Sequence, residues 1–219
     1  MSPRTTVTFL ALLGIAAPVA WGNETQVEAP PTEAQSVEAQ SVAAQPASEQ
    51  QDRVADEQKA RDYFTDLPLI TQDGEQVRFY TDVLKDRVVL INFVYTNCKD
   101  TCPLMTQMLL MVRDRLGELF DNPVHFVSIS TDPERDTPQA LTEFAKQQKA
   151  DDPGWVFLTG EKNNIDFILK RLGQYTPQFE AHSTLMLAGN VRTRHWMKIP
   201  PMTPVPAIVV RLQTLASES

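Results

Sequence analysis

The chain is poor in cysteine and histidine, with two cysteines and three histidines among its 219 residues. Only three residues separate the two cysteines, so a bond between them would close a loop too short to stabilise a fold. Basic residues are also scarce, with 20 Lys and Arg against 28 Asp and Glu, and the net charge of −8 argues against nucleic acid as a partner. The cysteine pair is therefore better explained as a working site than as a structural bridge.

The first 57 residues are not expected to join a folded core. Residues 1–22 place one basic residue, Arg4, before an apolar run and then small residues, which is the order of an export signal or a short membrane anchor. Residues 23–57 contain no aromatic residue and are predicted to form a disordered, flexible linker. Residues 58–219 remain as a single domain of an exported protein.

Hydrophobic patterning predicts alternating strands and helices in this domain. The dipeptides Asp73-Gly74 and Gly189-Asn190 favour tight turns and predict two hairpins. Between them, apolar runs predict three strands, each followed by a helix: strands at 88–95, 124–130 and 155–159, helices at 103–119, 138–149 and 161–172. A last helix is predicted at 207–215. This order predicts an α/β, thioredoxin-like fold with an N-terminal β-hairpin and a central mixed sheet.

The cysteines lie in the segment CKDTCP, residues 98–103, directly after the first long strand. Ligand crevices of open α/β sheets lie at the carboxyl ends of strands, so a site is expected here. Two thiolates from one turn can hold a soft metal ion such as Cu(I), and a helix N-terminus behind Cys102 favours its thiolate. Cys98 and Cys102 can instead form a redox-active disulfide, although dithiol oxidoreductases usually have two intervening residues. The spacing of the two cysteines alone leaves both the metal site and the redox-active disulfide open.

Among the histidines, His182 is best placed to supply a third ligand. It lies just before a predicted late strand, in the loop where thioredoxin-like oxidoreductases carry a cis-proline beside their disulfide, and this chain has no proline there. His125 lies inside a predicted strand and is expected to be structural. His195 and Met197 share one face of a strand, which indicates either an exposed surface or a weak second copper site.

Three segments resemble the Sco (SenC) family: residues 93–103 with the cysteine motif, residues 130–138 with the sequence STDPERDTP, and His182 with the serine that follows it. The resemblance implies a copper ion, Cu(I) or Cu(II), held by Cys98, Cys102 and His182. It also implies a periplasmic or inner-membrane-anchored protein that helps assemble the dinuclear copper centre of cytochrome c oxidase subunit II. The family commonly has Asp before the distal histidine, where this chain has Ala181, so a carboxylate that would orient the imidazole is missing.

Two main functions stay open after this comparison of motifs. The first is a metallochaperone without catalytic turnover, whose partner is cytochrome c oxidase subunit II or another copper protein. The second is a thiol–disulfide oxidoreductase that reduces the cysteines of a copper-receiving partner. A peroxidase is a third alternative, because Thr96-x-Cys98 is similar to a peroxidatic motif, but the usual proline and arginine are missing. A metallochaperone needs His182, whereas a disulfide exchanger does not.

Overall fold

The computed structural model describes residues 47–218, so the predicted signal (residues 1–22) and most of the predicted linker (residues 23–46) lie outside the described residues. The described part has helices and strands in the order α1 Ala47–Phe64, β1 Pro68–Thr71, β2 Gln76–Arg78, β3 Val88–Val94, α2 Thr101–Leu116, β4 Val124–Ser130, α3 Pro138–Gln148, β5 Trp155–Thr159, α4 Lys162–Arg171, β6 Met186–Asn190, β7 His195–Ile199 and α5 Val205–Ala216. The strands form one sheet in the spatial order β2-β1-β5-β4-β3-β6-β7.

Three parallel strands, β3, β4 and β5, form the centre of the sheet, and the strands on either side of them are antiparallel. One apolar cluster packs α2, α3 and α5 against one face, and another packs α4 and the π-helical turn Phe79–Leu84 against the other. Because both faces are covered, all seven residues of β3 are buried, as its continuous apolar run predicts. The predicted thioredoxin-like fold, with its N-terminal hairpin and central mixed sheet, is confirmed.

The parallel pairing brings two functional segments to one edge of the sheet. β3 ends at Val94 and β4 at Ser130, and these two residues are paired in register. The Thr131 N–H continues the ladder by donating to the Val94 carbonyl at 2.8 Å. The turn that carries the cysteines and the loop at residues 131–137 therefore lie side by side at the carboxyl ends of their strands.

The second hairpin differs from its prediction. Gly189 and Asn190 belong to β6, and the turn lies at residues 191–194 instead. Gly189 pairs with Trp196 across the hairpin, and a Cβ on Gly189 would collide with the indole ring. The glycine is therefore required for close packing and not for a turn. Asn190 accepts hydrogen bonds from two turn amides through its side chain, so it stabilises the turn from outside it.

The linker prediction does not hold for residues 47–57, which belong to α1. This helix has no pronounced apolar face, so hydrophobic periodicity could not reveal it. Tertiary contacts hold it to the domain: Glu57 lies 2.6 Å from Lys85, and the Phe64 ring centroid lies 4.9 Å from that of Trp196. Among residues 47–218, no helix combines the length and the apolar composition needed to cross a bilayer.

Candidate metal and thiol site

The two cysteines lie in the turn between β3 and α2, and both are free thiols. α2 begins at Thr101, two residues before the predicted start, so Cys102 lies in the first helical turn. The Cys98 sulfur accepts a hydrogen bond from the Cys102 backbone N–H at 3.2 Å. Cys98 is 9% exposed and Cys102 only 2%. The two side chains therefore lie together, and Cys98 is the less deeply buried of the two.

The environment makes the two thiols unequal acids. Burial alone would raise the pKa of Cys98, but hydrogen bonds from Cys102, from the Tyr95 hydroxyl and from the Asp100 backbone outweigh it and lower that pKa below its usual value. Burial, the hydrogen bond to Cys98 and the charges of Cys98 and Asp136 raise the pKa of Cys102 to about 12. Tyr95 stays a proton donor, since its bond to Cys98 and burial raise its own pKa to about 12. Near neutral pH, Cys98 is the group that ionises first.

Asp136 fixes the turn that precedes the cysteines. Its Oδ1 accepts hydrogen bonds from the Thr96 backbone N–H at 3.0 Å and from the Thr96 hydroxyl at 2.6 Å, while its Oδ2 accepts from the Ser130 hydroxyl at 2.6 Å. The carboxyl group is fully buried, and burial raises its pKa although these hydrogen bonds partly offset the effect. The segment STDPERDTP thus connects the end of β4 to the cysteine turn, in addition to supplying the Thr137 N-cap of α3.

His182 follows the 3₁₀ turn Phe179–Ala181 and is half-buried. Its Nδ1 lies 2.8 Å from the Phe179 carbonyl oxygen, and its ring packs edge-on against Tyr95 with a centroid separation of 5.5 Å. Nε2 is buried and has no hydrogen-bond partner among the described residues. A carbonyl can only accept, so Nδ1 carries the proton and Nε2 keeps its lone pair in the neutral ring.

A small cavity lies between Cys102 and His182. Cys102, Met105 and His182 contribute to its lining, together with Asn92, Phe93, Thr101 and Thr184. Within residues 47–218, no three histidine, cysteine or carboxylate side chains converge closely enough to hold a metal ion. The structure therefore brings the two thiols together and places His182 on the same cavity as Cys102, while the three-ligand set of Cys98, Cys102 and His182 stays a prediction.

Three residues at the site were not selected from the sequence: Tyr95, Phe179 and Arg135. Tyr95 acts on both parts of the site. Its hydroxyl lowers the pKa of Cys98, and its ring packs edge-on against His182. The Arg135 guanidinium lies 5.1 Å from the Phe179 ring centroid. Tyr95 could have been selected because it lies three residues before a candidate ligand. The Arg135–Phe179 contact joins segments far apart in sequence, and no local pattern indicates it.

The other two histidines lie away from this cavity. His125 is half-buried in β4, with Nδ1 3.6 Å from an Asp121 carboxylate oxygen, and burial lowers its pKa. His195 is exposed on β7 and hydrogen-bonds Glu218 at 2.6 Å. The interpretation of His125 as structural agrees with these contacts, and the alternative metal pair of His195 and Met197 gains no further ligand from them.

Fold and site together define a thioredoxin-like domain with a paired-thiol site at the carboxyl edge of its sheet and a histidine beside it. The SCO1/SenC family model matches residues 55–195, which is well over half of the chain. The chain belongs to the SCO1/SenC family.

Individual relatives agree with this family. The chain is 39% identical over 90 residues to the SCO1 protein homolog of Bacillus subtilis, a match that covers 41% of this chain and 45% of that protein. The chain thus spans about half the length of this curated relative. It is similar to the structure of Bradyrhizobium japonicum ScoI with copper bound (25% identity, TM-score 0.56, 68% of this chain and 96% of that one). It is also similar to BsSco, a Sco-family cytochrome c oxidase assembly protein with a disulfide switch (26% identity, TM-score 0.59, 70% of this chain and 92% of that one).

Proposed function

We propose that this chain is a copper metallochaperone that takes up one copper ion on Cys98, Cys102 and His182 and delivers it to the dinuclear copper centre of cytochrome c oxidase subunit II. Copper is the cargo in this role and not a resident cofactor. The proposal requires an exported protein, in the periplasm or held at the inner membrane through its N-terminal segment. Copper binding by Bradyrhizobium japonicum ScoI and the oxidase-assembly role of BsSco support it.

One observation carries the proposal: a buried imidazole nitrogen with an unused lone pair belongs to a residue that borders the same cavity as Cys102, one of two neighbouring free thiols. Thiolates favour Cu(I), and an added imidazole suits Cu(II) as well, so this donor set fits either oxidation state. The pKa of Cys98 is lowered, which favours its thiolate, whereas the pKa of Cys102 is raised to about 12, so copper must displace the Cys102 proton. Copper uptake is therefore expected to release protons.

A second function is favoured by the unequal thiols. In a thiol–disulfide oxidoreductase, Cys98, which is the more acidic and the less deeply buried of the two thiols, attacks a partner disulfide and releases one partner thiolate. Cys102 then loses its proton and attacks the mixed disulfide at Cys98, which frees the second partner thiol. The products are a Cys98–Cys102 disulfide and a partner reduced by two electrons and two protons. This step does not use His182.

The first test is anaerobic copper titration of the reduced protein, with metal analysis and absorption spectra. The wild type should bind one copper ion per chain, and the Cu(II) form should show sulfur-to-copper charge-transfer absorption. A Cys98→Ser, Cys102→Ser double variant and the fully oxidised wild type should bind none, because neither offers a thiolate. Equal copper content in the wild type and the double variant would refute the proposal.

His182 separates the two functions. His182→Ala should weaken copper binding strongly while leaving the Cys98–Cys102 reduction potential nearly unchanged, because the thiol acidities are set by groups around the cysteine turn. His195→Ala is the matched control, since His195 lies on the exposed face of β7. Lost copper binding together with failed oxidase assembly in cells supports the metallochaperone. Lost copper binding with normal assembly supports the oxidoreductase instead.

A further inference from the structure

We propose that Phe179, which contacts both Arg135 and Tyr95, is the positioning residue that fixes the His182 imidazole with Nδ1 bonded and Nε2 free for a metal ion. In this chain Phe179 and its contacts take the place of the carboxylate that is missing at Ala181. The copper readout of this inference rests on the proposed function, but the orientation of the ring does not, and the experiment below measures both.

The backbone of Phe179 already does what a carboxylate partner would do. Its carbonyl oxygen accepts from the His182 backbone N–H at 3.2 Å and lies 2.8 Å from the ring Nδ1. Metal-binding histidines almost always donate their second ring N–H to a carboxylate or a backbone carbonyl, which fixes the tautomer and the ring orientation. Ala181 is exposed and has no group that could take this proton. The carbonyl of Phe179 is therefore the acceptor that determines which nitrogen of His182 stays free.

The position of this carbonyl depends on the Phe179 side chain. The 3₁₀ turn that it begins has three residues, and its N-cap residue Gln178 makes no side-chain capping bond. The turn is instead held through two contacts of the Phe179 ring. The Arg135 guanidinium lies over this ring, 5.1 Å from its centroid, and the Tyr95 ring packs edge-on with a centroid separation of 5.2 Å. Cation–π and edge-to-face aromatic contacts both favour a defined orientation of the ring.

Both holding residues are themselves fixed at the site. Arg135 is held by Asp132, whose carboxylate lies 2.8 Å from the guanidinium. Tyr95 directly follows the buried strand β3 and packs edge-on against the His182 ring with a centroid separation of 5.5 Å. Phe179 thus connects the segment that carries His182 to the STDPERDTP loop and to the cysteine turn. Without the ring, the turn keeps its backbone hydrogen bond but loses the contacts that orient it.

The experiment compares Phe179→Ala, Phe179→Tyr and the wild type, with Phe167→Ala as a matched control. Phe167 lies on α4 with the Arg171 guanidinium 5.2 Å from its ring centroid, so the control removes the same type of pair away from the site. The first readout is imidazole ¹⁵N NMR of the reduced, metal-free protein at a pH where the rings are neutral. The second readout is copper affinity measured by competition with a chelator. Thermal unfolding of each variant checks that the domain is folded.

Phe179→Ala should convert the single Nδ1–H form of His182 into a mixture of tautomers and weaken copper binding by about tenfold, the lower end of the effect of removing such partners. Phe179→Tyr keeps the ring and should match the wild type in both readouts, as should Phe167→Ala. An unchanged tautomer in a folded Phe179→Ala variant overturns the inference, and so does an equal loss in Phe167→Ala. If the wild type bound no copper, the proposed function would fail, and the NMR readout would still decide the role of Phe179.

Discussion

The cysteine arm and the histidine arm of the site are built in different ways. The cysteine arm follows β3, which is buried at all seven positions, and continues into the 16-residue helix α2. Asp136 holds its turn through two hydrogen bonds to Thr96, and Cys98 itself accepts the N–H of Cys102. Its geometry is therefore fixed by the core of the domain and by buried hydrogen bonds.

The histidine arm has much less support. Between the end of α4 at Arg171 and the start of β6 at Met186, its regular structure is one three-residue 3₁₀ turn, in which no residue is buried. His182 is held by one carbonyl and by the edge of Tyr95. This difference bears on both proposed functions. The thiol pair is held independently of His182, and the proposed third ligand is placed by contacts that can change without disturbing the thiols.

The largest effect is expected within the cysteine arm, in the reaction of the two thiols with iodoacetamide. The Cys102 pKa of about 12 leaves about one in 10⁴ of these thiols ionised at pH 8. Hydrogen bonds lower the pKa of Cys98 below its usual value, so a larger fraction of Cys98 is ionised at that pH. Cys98 should therefore be alkylated much faster than Cys102, as measured by mass spectrometry of singly modified protein.

The pH dependence of this reaction has a definite sign. Its rate should rise with pH and level off once the pH exceeds the lowered pKa of Cys98, while Cys102 stays unreactive throughout the neutral range. Tyr95→Phe removes one of the donors that lower this pKa, so the profile should move to higher pH. Equal modification of the two cysteines at pH 8 would mean that the thiols are equivalent, and the rigid, asymmetric cysteine arm described above would be wrong.

The contrast between the arms also explains what the sequence could predict. The bounds of β4 and β5 agree with those expected from their apolar runs, and α3 begins at Pro138 as predicted, with Thr137 as its N-cap. These features depend on burial periodicity and on local capping, which a single sequence contains. The cysteine positions were predictable for the same reason, because they follow a buried strand directly.

The features that were missed depend on tertiary contacts, most of them between distant segments. Asp136 bonds Thr96 across 40 residues, and the contact of Arg135 with Phe179 spans 44. α1 has little amphipathic pattern and is held by pairs such as Glu57 with Lys85. Gly189 was expected in a turn, but it is needed because the Trp196 indole lies against its backbone. In each case the contacting residue cannot be identified until the fold is known, so the local sequence pattern does not predict the contact.

The second prediction compares the stability that each arm provides. Asp136→Ala leaves the half-buried Thr96 donors and the buried Ser130 hydroxyl unpaired and should lower the free energy of unfolding by about 2–4 kcal/mol, measured by urea denaturation. His182→Ala, the matched change in the other arm, should alter it by less than about 0.5 kcal/mol, as is typical away from buried networks. Equal losses in the two variants would contradict the different construction of the arms.

Asp136→Asn sharpens this test through pH. The folded pKa of Asp136 is raised, so its contribution to stability is present below the unfolded value near 3.8 and is lost as the pH rises through the folded value. Asparagine does not titrate and removes that change. The free energy of unfolding of the variant, relative to that of the wild type, should therefore improve between pH 3.5 and pH 7. A constant difference over this range would mean that the Asp136 carboxyl titrates as it does in the unfolded chain.

The smallest effect is expected from restoring the missing carboxylate with Ala181→Asp. The Nδ1 proton of His182 is already bonded to the Phe179 carbonyl at 2.8 Å, so a new carboxylate can take it only by breaking that bond. Copper affinity, measured by chelator competition, should therefore stay within about threefold of the wild type, because the partner is exchanged rather than gained.

Ala181→Asp should change copper affinity more once the Phe179 carbonyl is no longer fixed. In a Phe179→Ala background, Ala181→Asp should recover part of the roughly tenfold loss of copper affinity, because the imidazole then lacks a fixed acceptor. A double-mutant cycle measures this coupling directly. A tenfold gain from Ala181→Asp in the otherwise wild-type chain would mean that the Phe179 carbonyl leaves the ring poorly oriented. Coupling near zero would mean that the carboxylate and the carbonyl act on different features of the histidine arm. The expected coupling arises because one ring proton can satisfy only one acceptor at a time.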